Sequence, residues 1–120
     1  MNLIDIKKIT PSYNFIQVTA DRDTEVTGIL RDPECPYSIV QRIVAVGPMV
    51  KNYKVGDLVM LNLTRYRKTS IPKDSLKEDM NGVTEIVKYT MPVIELDKNE
   101  YMLLTDSDID FTIDEYDQVV

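Results

Sequence analysis

Short runs of β-branched, aliphatic and aromatic residues, separated by turn residues, make up most of the hydrophobic pattern of this chain. In the last run, Ile109, Phe111 and Ile113 alternate with polar residues, which is typical of a half-buried strand. Glycines and prolines lie between the runs and favour turns. The pattern predicts strands at 13–18, 39–46, 58–63, 83–89, 93–96, 101–104 and 109–113. Short strands joined by turns predict one all-β domain over residues 1–120, either a small barrel or a sandwich.

A long segment without sustained periodicity, residues 21–38, separates the first two predicted strands. Its polar residues and two prolines predict a loop, and loops longer than about 12–15 residues are usually functional or disordered. A small apolar island lies inside it, where Ile29 and Leu30 follow Gly28, with Val26 just before. Periodicity alone leaves two alternatives for Ile29 and Leu30, and it favours folding back onto the core over an exposed role.

The composition supports the all-β class. The chain has 13 Val, 12 Ile and 10 Thr, whereas Ala occurs only at positions 20 and 45. Branching at Cβ favours strands, and the scarcity of Ala removes the best helix former. There is no His, so neither a His general base nor a His-ligated zinc site is expected. The only Cys is Cys35, so neither an internal disulfide nor a Cys-rich zinc site is expected.

Negative charge is concentrated in the last part of the chain. The formal net charge is −6, and residues 95–120 contain nine acids and one Lys, which gives −8 for that part alone. This balance argues against general nucleic-acid binding, which needs clustered positive charge. The one basic cluster, residues 65–68, is interpreted as a solvated loop rather than a nucleic-acid contact. No signal peptide and no membrane-spanning apolar run are recognised, so we expect no membrane partner and a cytoplasmic location.

The acidic repeat at Asp106, Asp108 and Asp110 invites comparison with a calcium-binding loop. An EF-hand loop that began at Asp106 would need Gly and Glu where this chain has Phe111 and Asp117. The motif therefore fails, and the three carboxylates are predicted to share a solvated strand face. Since the lone thiol also lacks an activating base, we expect no metal site, no catalytic residue and no enzymatic activity.

Four short motifs follow one another along the chain and together cover about two thirds of it. The motifs are Pro11 with Phe15-Ile16-Gln17-Val18, then Thr27-Gly28-Ile29-Leu30, then Ile43-Val44-Ala45-Val46-Gly47 followed by Val55-Gly56-Asp57-Leu58-Val59, and finally Asn99-Glu100 with Leu103-Leu104 and Ser107-Asp108-Ile109. In this order they resemble the chaperonin-10 family, the co-chaperonins that cap chaperonin-60 rings. The third motif is close to that family's "VxAVG…VGDxV" pattern.

The resemblance implies a small GroES-like irregular β-barrel with a mobile loop at about 21–38. It reverses the preference for Ile29 and Leu30, which would dock on a chaperonin-60 ring rather than pack in the core. The protein would cap that ring and assist ATP-dependent protein folding, with the ATP chemistry in the partner and no cofactor of its own. By resemblance, the chaperonin-binding residues would be Val26, Thr27, Gly28, Ile29 and Leu30.

The resemblance also implies a ring of seven identical subunits. In the family, the first strand of one subunit pairs with the last strand of its neighbour, and unpaired strand edges suit such pairing. The interface residues would then be Phe15, Ile16 and Val18 from one subunit and Ile109, Phe111 and Ile113 from the next.

Three departures from the family pattern bear on function. Residues 48–54 are too few for the roof hairpin of bacterial members, and they resemble the shortened connection of co-chaperonins carried by bacteriophages, which would act in the host cytoplasm. Residues 65–90 look like an insertion, and Arg31 stands where a third aliphatic is usual. An alternative is therefore a virion or assembly structural protein that uses the same barrel, its edges and the insertion for packing.

Overall fold

Eight strands form two antiparallel sheets in the computed structural model, which describes residues 2–30, 32–70 and 86–118. The all-β class is therefore confirmed, and the larger sheet is barrel-like. Among the described residues, the only helical segments are two single 3-10 turns, and no helix could cross a membrane. The strands are β1 Phe15–Thr19, β2 Val40–Val46, β3 Leu58–Leu61, β4 Arg67–Ser70, β5 Ile86–Tyr89, β6 Val93–Leu96, β7 Asn99–Thr105 and β8 Ile109–Ile113.

The larger sheet has six strands in the order β6-β7-β1-β2-β3-β8, so β6 and β8 are its two edges. Strand β1 lies in the interior, because it pairs with β2 on one side and with β7 on the other. The register of β1 against β2 shifts between Gln17 and Val18, where Val44 is skipped, so the extra residue of this irregularity lies on β2. Strands β4 and β5 form the second sheet, which we call the side sheet.

The core lies between the inward faces of β1, β2, β3 and β7. Its most buried side chains are Ile16 and Val18 from β1, Ile43 from β2, Val59 from β3, and Met102 and Leu104 from β7. Burying each large apolar side chain contributes about 1.5–3 kcal/mol to stability. The apolar runs that predicted the strands therefore also provide the core.

Gly47 directly follows β2, and the backbone of Ser12 and Tyr13 passes very close to it. An added Cβ there would lie 2.3 Å from the Tyr13 carbonyl oxygen and 2.9 Å from that of Ser12. The Gly47 N–H donates to the Phe15 carbonyl at 2.8 Å, so the chain cannot move away without losing this bond. The glycine of the "VxAVG" motif is thus required by a close backbone approach.

We expect Gly47→Ala to destabilise the fold by about 1–3 kcal/mol, because the added carbon overlaps backbone atoms that have no room to shift. Urea unfolding followed by circular dichroism measures this change. Lys51→Ala, at an exposed position in the connection that follows Gly47, is a suitable control and should change stability by less than about 0.5 kcal/mol. Equal losses at the two positions would contradict this account of Gly47.

The predicted insertion at residues 65–90 holds the side sheet, in a region where the sequence predicted no strand before residue 83. Strand β4 was missed because its residues are mostly polar and do not alternate. Strand β5 falls within the run predicted at 83–89, although residues 83–85 lie outside the described part of the chain. Strands β6 and β8 confirm the predicted runs at 93–96 and 109–113.

Candidate functional site

The segment between β1 and β2 consists of an exposed tip, residues 26–30, and two stems that are anchored to the sheet. In the tip, Leu30 is 98% exposed and Ile29 is 44% exposed, whereas Val26 is half-buried. The Ile29 N–H donates to the Val26 carbonyl at 3.4 Å, and Gly28 adopts a φ of 87°, a conformation that glycine tolerates without strain. This turn presents two adjacent aliphatic side chains to solvent.

Gln41 on β2 joins the two stems from beneath. Its side-chain N–H groups donate to the carbonyls of Asp21 and Ser38 at 2.8 and 2.9 Å. Its Oε1 accepts the Asp21 N–H at 2.9 Å and the Thr19 hydroxyl at 2.7 Å. Gln41 is 1% exposed and every polar atom of its amide is engaged. One buried amide therefore holds both ends of the loop together.

We expect Gln41→Met to cost about 1–3 kcal/mol, because a side chain of similar size would leave the Asp21 N–H and the Ser38 carbonyl without partners, whereas the Asp21 carbonyl would still accept the Ser38 N–H. Hydrogen exchange should also accelerate at the amides of both stems. The exposed residue Val44 on the same strand offers a control, and Val44→Met should change stability by less than about 0.5 kcal/mol. Unchanged stem exchange in Gln41→Met would show that the amide is not the clamp.

The first stem is also stabilised by Asp21. Its carboxylate accepts the Asp23 N–H at 2.9 Å and the Thr24 hydroxyl, and the Thr24 carbonyl accepts the Ser38 hydroxyl. Donation by the Asp23 N–H, assisted by the Thr24 hydroxyl, holds the pKa of Asp21 below its usual value. The stem is therefore an ordered turn rather than a free chain.

The second stem, residues 32–38, packs against the core. Cys35, Tyr37 and Ser38 are all buried, with exposed fractions of 4%, 6% and 0%. The Arg22 guanidinium lies 4.4 Å from the Tyr37 ring centroid and donates to its hydroxyl at 3.1 Å. The predicted loop over 21–38 agrees with the structure, which has no helix or strand among the residues described there, and the buried Cys35 and Tyr37 show that its second half packs against the core.

Asp32 connects the second stem to the side sheet. Its carboxylate accepts the Tyr89 hydroxyl at 2.5 Å and the Glu34 N–H at 3.0 Å, and it lies 3.4 Å from the Arg67 Nε. Donation by Tyr89, followed by that of the Glu34 N–H, lowers the pKa of Asp32. Burial, together with the hydrogen bond to Asp32, raises the pKa of Tyr89 to about 12.

The direction of each pKa shift determines the pH range in which this contact stabilises the fold. The Asp32 contribution is present above its ordinary pKa of 3.8 and is lost as the pH falls through the lower folded value. The Tyr89 contribution is complete below pH 10.0 and is lost as the pH rises towards about 12. In Asp32→Asn, the pKa of Tyr89 should move from about 12 towards 10.0, as measured by NMR titration of the tyrosine rings. Asp114→Asn, at an exposed carboxylate outside the cleft, should leave it unchanged.

An open cleft of about 280 Å³ lies beside the tip, between the second stem, β3 and the side sheet. Leu30, Ile39, Leu61, Leu63 and Tyr89 are among its lining residues. Leu30 lies at its margin with almost all of its surface in solvent, so the apolar pair of the tip is not packed in the core. Of the two alternatives that periodicity left open, the structure agrees with the exposed one.

The predicted subunit interface is corrected at β1. Ile16 and Val18 have no exposed surface, and both edges of β1 are paired within the same chain, so β1 offers no free edge. Phe15 alone among the three is exposed, at 37%. The sequence could not reveal this, because which strands flank β1 depends on residues far along the chain.

Strand β8, in contrast, agrees with an assembly edge. Within the described residues it pairs only with β3, so its other edge is unpaired. Phe111 is 47% exposed, Ile113 is half-buried and Ile109 is buried. A free edge with an exposed aromatic residue is the type of surface that accepts another strand.

The prediction that three aspartates share a solvated face is wrong for Asp108. Residues 106–108 form a 3-10 turn, and the Asp108 carboxylate, only 3% exposed, accepts from Arg65 and Tyr66 at 2.8 Å and from the Thr105 N–H at 3.0 Å. Part of the basic cluster at 65–68 is thus an internal ion pair.

No family model matches this sequence, and no curated protein matches it.

Proposed function

We propose that the protein is a co-chaperonin that docks on a chaperonin-60 ring through the tip at residues 26–30. The observation that supports this most directly is the nearly complete exposure of Leu30 beside Ile29, at the end of a loop whose stems are fixed. Large aliphatic side chains are usually buried, and an exposed adjacent pair at a projecting turn suits insertion into an apolar groove. Val26, Thr27 and Gly28 shape the turn that presents the pair.

The energetics favour weak binding by one loop and strong binding by several. Full burial of Ile29 and Leu30 contributes about 1.5–3 kcal/mol each, and ordering costs about 1–2 kcal/mol per fixed residue. Because Gln41 and Asp32 already hold the stems, only the tip must be ordered on binding, which reduces this cost. A ring that presents several identical tips then gains avidity without new contacts.

The ring, which we propose to be a homo-heptamer, would use the free edge of β8. Residues 2–10 are its suggested partner in the neighbouring subunit, in place of β1. They have no regular secondary structure, and Leu3 and Ile4 are 90% and 85% exposed. An added strand would pair with the β8 backbone and cover Phe111.

In this function the protein catalyses no reaction and needs no cofactor. ATP hydrolysis belongs to the chaperonin, and the cap closes its chamber around client proteins in the cytoplasm, or the host cytoplasm if a bacteriophage encodes the chain. We expect no nucleic-acid partner and no membrane partner. A second candidate, a virion or assembly structural protein, draws support from the side sheet together with the free β8 edge, because both are surfaces on which copies could pack.

A pull-down with chaperonin-60 and ATP separates these functions. The wild-type protein should be captured, and Ile29→Asp should not be, because a carboxylate at that position cannot enter an apolar groove without a large desolvation cost. Met49→Asp is a matched control, since Met49 is 59% exposed in another connection and lies outside the tip. Equal capture of wild type and Ile29→Asp, or capture of neither, would leave the structural role as the better account.

A further inference from the structure

The two faces of the side sheet differ in their contacts. On one face, Arg67 and Tyr89 are cross-strand partners, and both approach Asp32 of the loop stem. Because strand side chains alternate, Lys68 and its partner Lys88 lie on the opposite face. Ile86, also on that face, is 41% exposed. We call Lys68, Ile86 and Lys88 the outer face.

The outer face places two positive charges directly opposite each other. Like charges at paired positions destabilise an antiparallel pair, and a two-stranded sheet has little stability to spare. The neighbouring cations are neutralised, Arg65 by Asp108 and Arg67 by Asp32. Among the residues that the structure describes, neither Lys68 nor Lys88 has an ion-pair partner. A bound carboxylate between them would remove this repulsion.

The chain itself contains an acidic segment of matching chemistry. Residues 114–118, which we call the tail, follow β8 and are exposed throughout. The tail includes Asp114, Glu115 and Asp117, and its one aromatic residue, Tyr116, is 54% exposed. Carboxylates suit the two lysines, and a tyrosine ring suits the exposed side chain of Ile86. We propose that the outer face binds the tail of a second copy of this chain.

Strand register directs the tail away from the side sheet of its own chain, which favours a tail from another copy. Leu61 is the last residue of β3, and the chain continues from it towards the side sheet. Leu61 pairs with Ile109, the first residue of β8. Leu58, at the other end of β3, pairs with Ile113, so β8 runs away from the side sheet before the tail begins. A contact between two different patches on two copies is head-to-tail, which is the type of contact that closes rings. This contact goes beyond the role of the tip and does not depend on what the tip binds.

Zero-length carbodiimide cross-linking tests the contact in the full-length protein. Equal amounts of ¹⁴N- and ¹⁵N-labelled protein are mixed, treated and analysed by mass spectrometry. We expect cross-links from Lys68 or Lys88 to the tail carboxylates that join one light and one heavy peptide. Cross-links confined to one isotope would overturn the proposal, as would cross-links from these lysines only to acids within residues 71–85, or none.

Variants that exchange the charges of the outer face and the tail provide a second test. Lys68→Glu with Lys88→Glu should weaken self-association roughly tenfold at low salt and abolish the cross-links. Adding Asp114→Lys and Glu115→Lys to that variant should restore self-association and cross-linking. The cross-links should then join the new lysines of the tail to the new glutamates of the outer face. Lys51→Glu with Lys54→Glu changes the net charge equally at exposed positions and should have no effect. Failure of the restoring variant, or equal weakening by the control pair, would refute the contact.

The result is distinguishable from failure of the proposed function. Ile29→Asp should lose capture by chaperonin-60 and keep the intermolecular cross-links. A protein that is captured by chaperonin-60 but shows no tail cross-links would retain the proposed function and disprove this contact.

Discussion

Replacement of Leu30 by Asp is expected to lower the affinity of the assembled protein for chaperonin-60 by at least roughly a thousandfold. Each copy loses the burial of one large aliphatic side chain, worth about 1.5–3 kcal/mol, and gains a carboxylate that must be desolvated. Because every tip in the proposed ring carries the change, the losses accumulate over all engaged copies. Titration of immobilised chaperonin-60 in the presence of ATP measures the affinity.

Two controls make this expectation specific to the tip. Met49→Asp introduces the same charge at an exposed apolar residue outside the tip and should change the affinity little. Native mass spectrometry should show the same assembly for Leu30→Asp as for wild type, because Leu30 is 98% exposed and supports no internal packing. A Leu30→Asp ring that binds chaperonin-60 as tightly as wild type would refute docking through the tip.

The second large effect is expected at the subunit interface. Phe111→Lys places a charge on the exposed side of β8, and lysine on an edge strand opposes the addition of another strand. Ile4→Asp does the same to the segment that we propose as its partner, where Ile4 is 85% exposed. Each change alone should convert the proposed ring largely to single chains in native mass spectrometry, with the circular dichroism spectrum unchanged.

Val44→Lys is the matched control for that experiment. Val44 is 36% exposed but lies on β2, which is paired on both sides, so a charge there should leave the assembly intact. Dissociation by Val44→Lys, or a ring that survives both Phe111→Lys and Ile4→Asp, would contradict the proposed use of the β8 edge.

The strands could be predicted because their signal is local. Alternation of Ile109, Phe111 and Ile113 with polar residues requires nothing beyond the immediate neighbours, and β8 has the predicted bounds. The position of β1 in the sheet could not be predicted in this way. Its neighbours are β2 and the distant β7, and such pairing is decided by tertiary contacts.

The exposed apolar pair was visible in the sequence, because Ile29 and Leu30 interrupt a polar segment. The buried polar side chains that hold the structure together around it were not visible in the sequence. Gln41 beneath the stems and Asp108 in its separate contact with residues 65–66 are of polar types that usually lie at the surface, and they are buried here because partners from other parts of the chain satisfy their hydrogen bonds. A pattern of hydrophobic and polar residues contains no signal for such partners. Cys35 was the one hint, since a Cys outside a disulfide is usually buried.

Hydrogen exchange at the tip tests the central claim most directly. In the free protein the amides of residues 27–30 should exchange rapidly, because the tip is exposed. In the presence of saturating chaperonin-60 and ATP they should be protected at least roughly a hundredfold, while the amides of 35–38 change little. Tip amides that exchange at the same rate with and without the bound chaperonin would contradict the account.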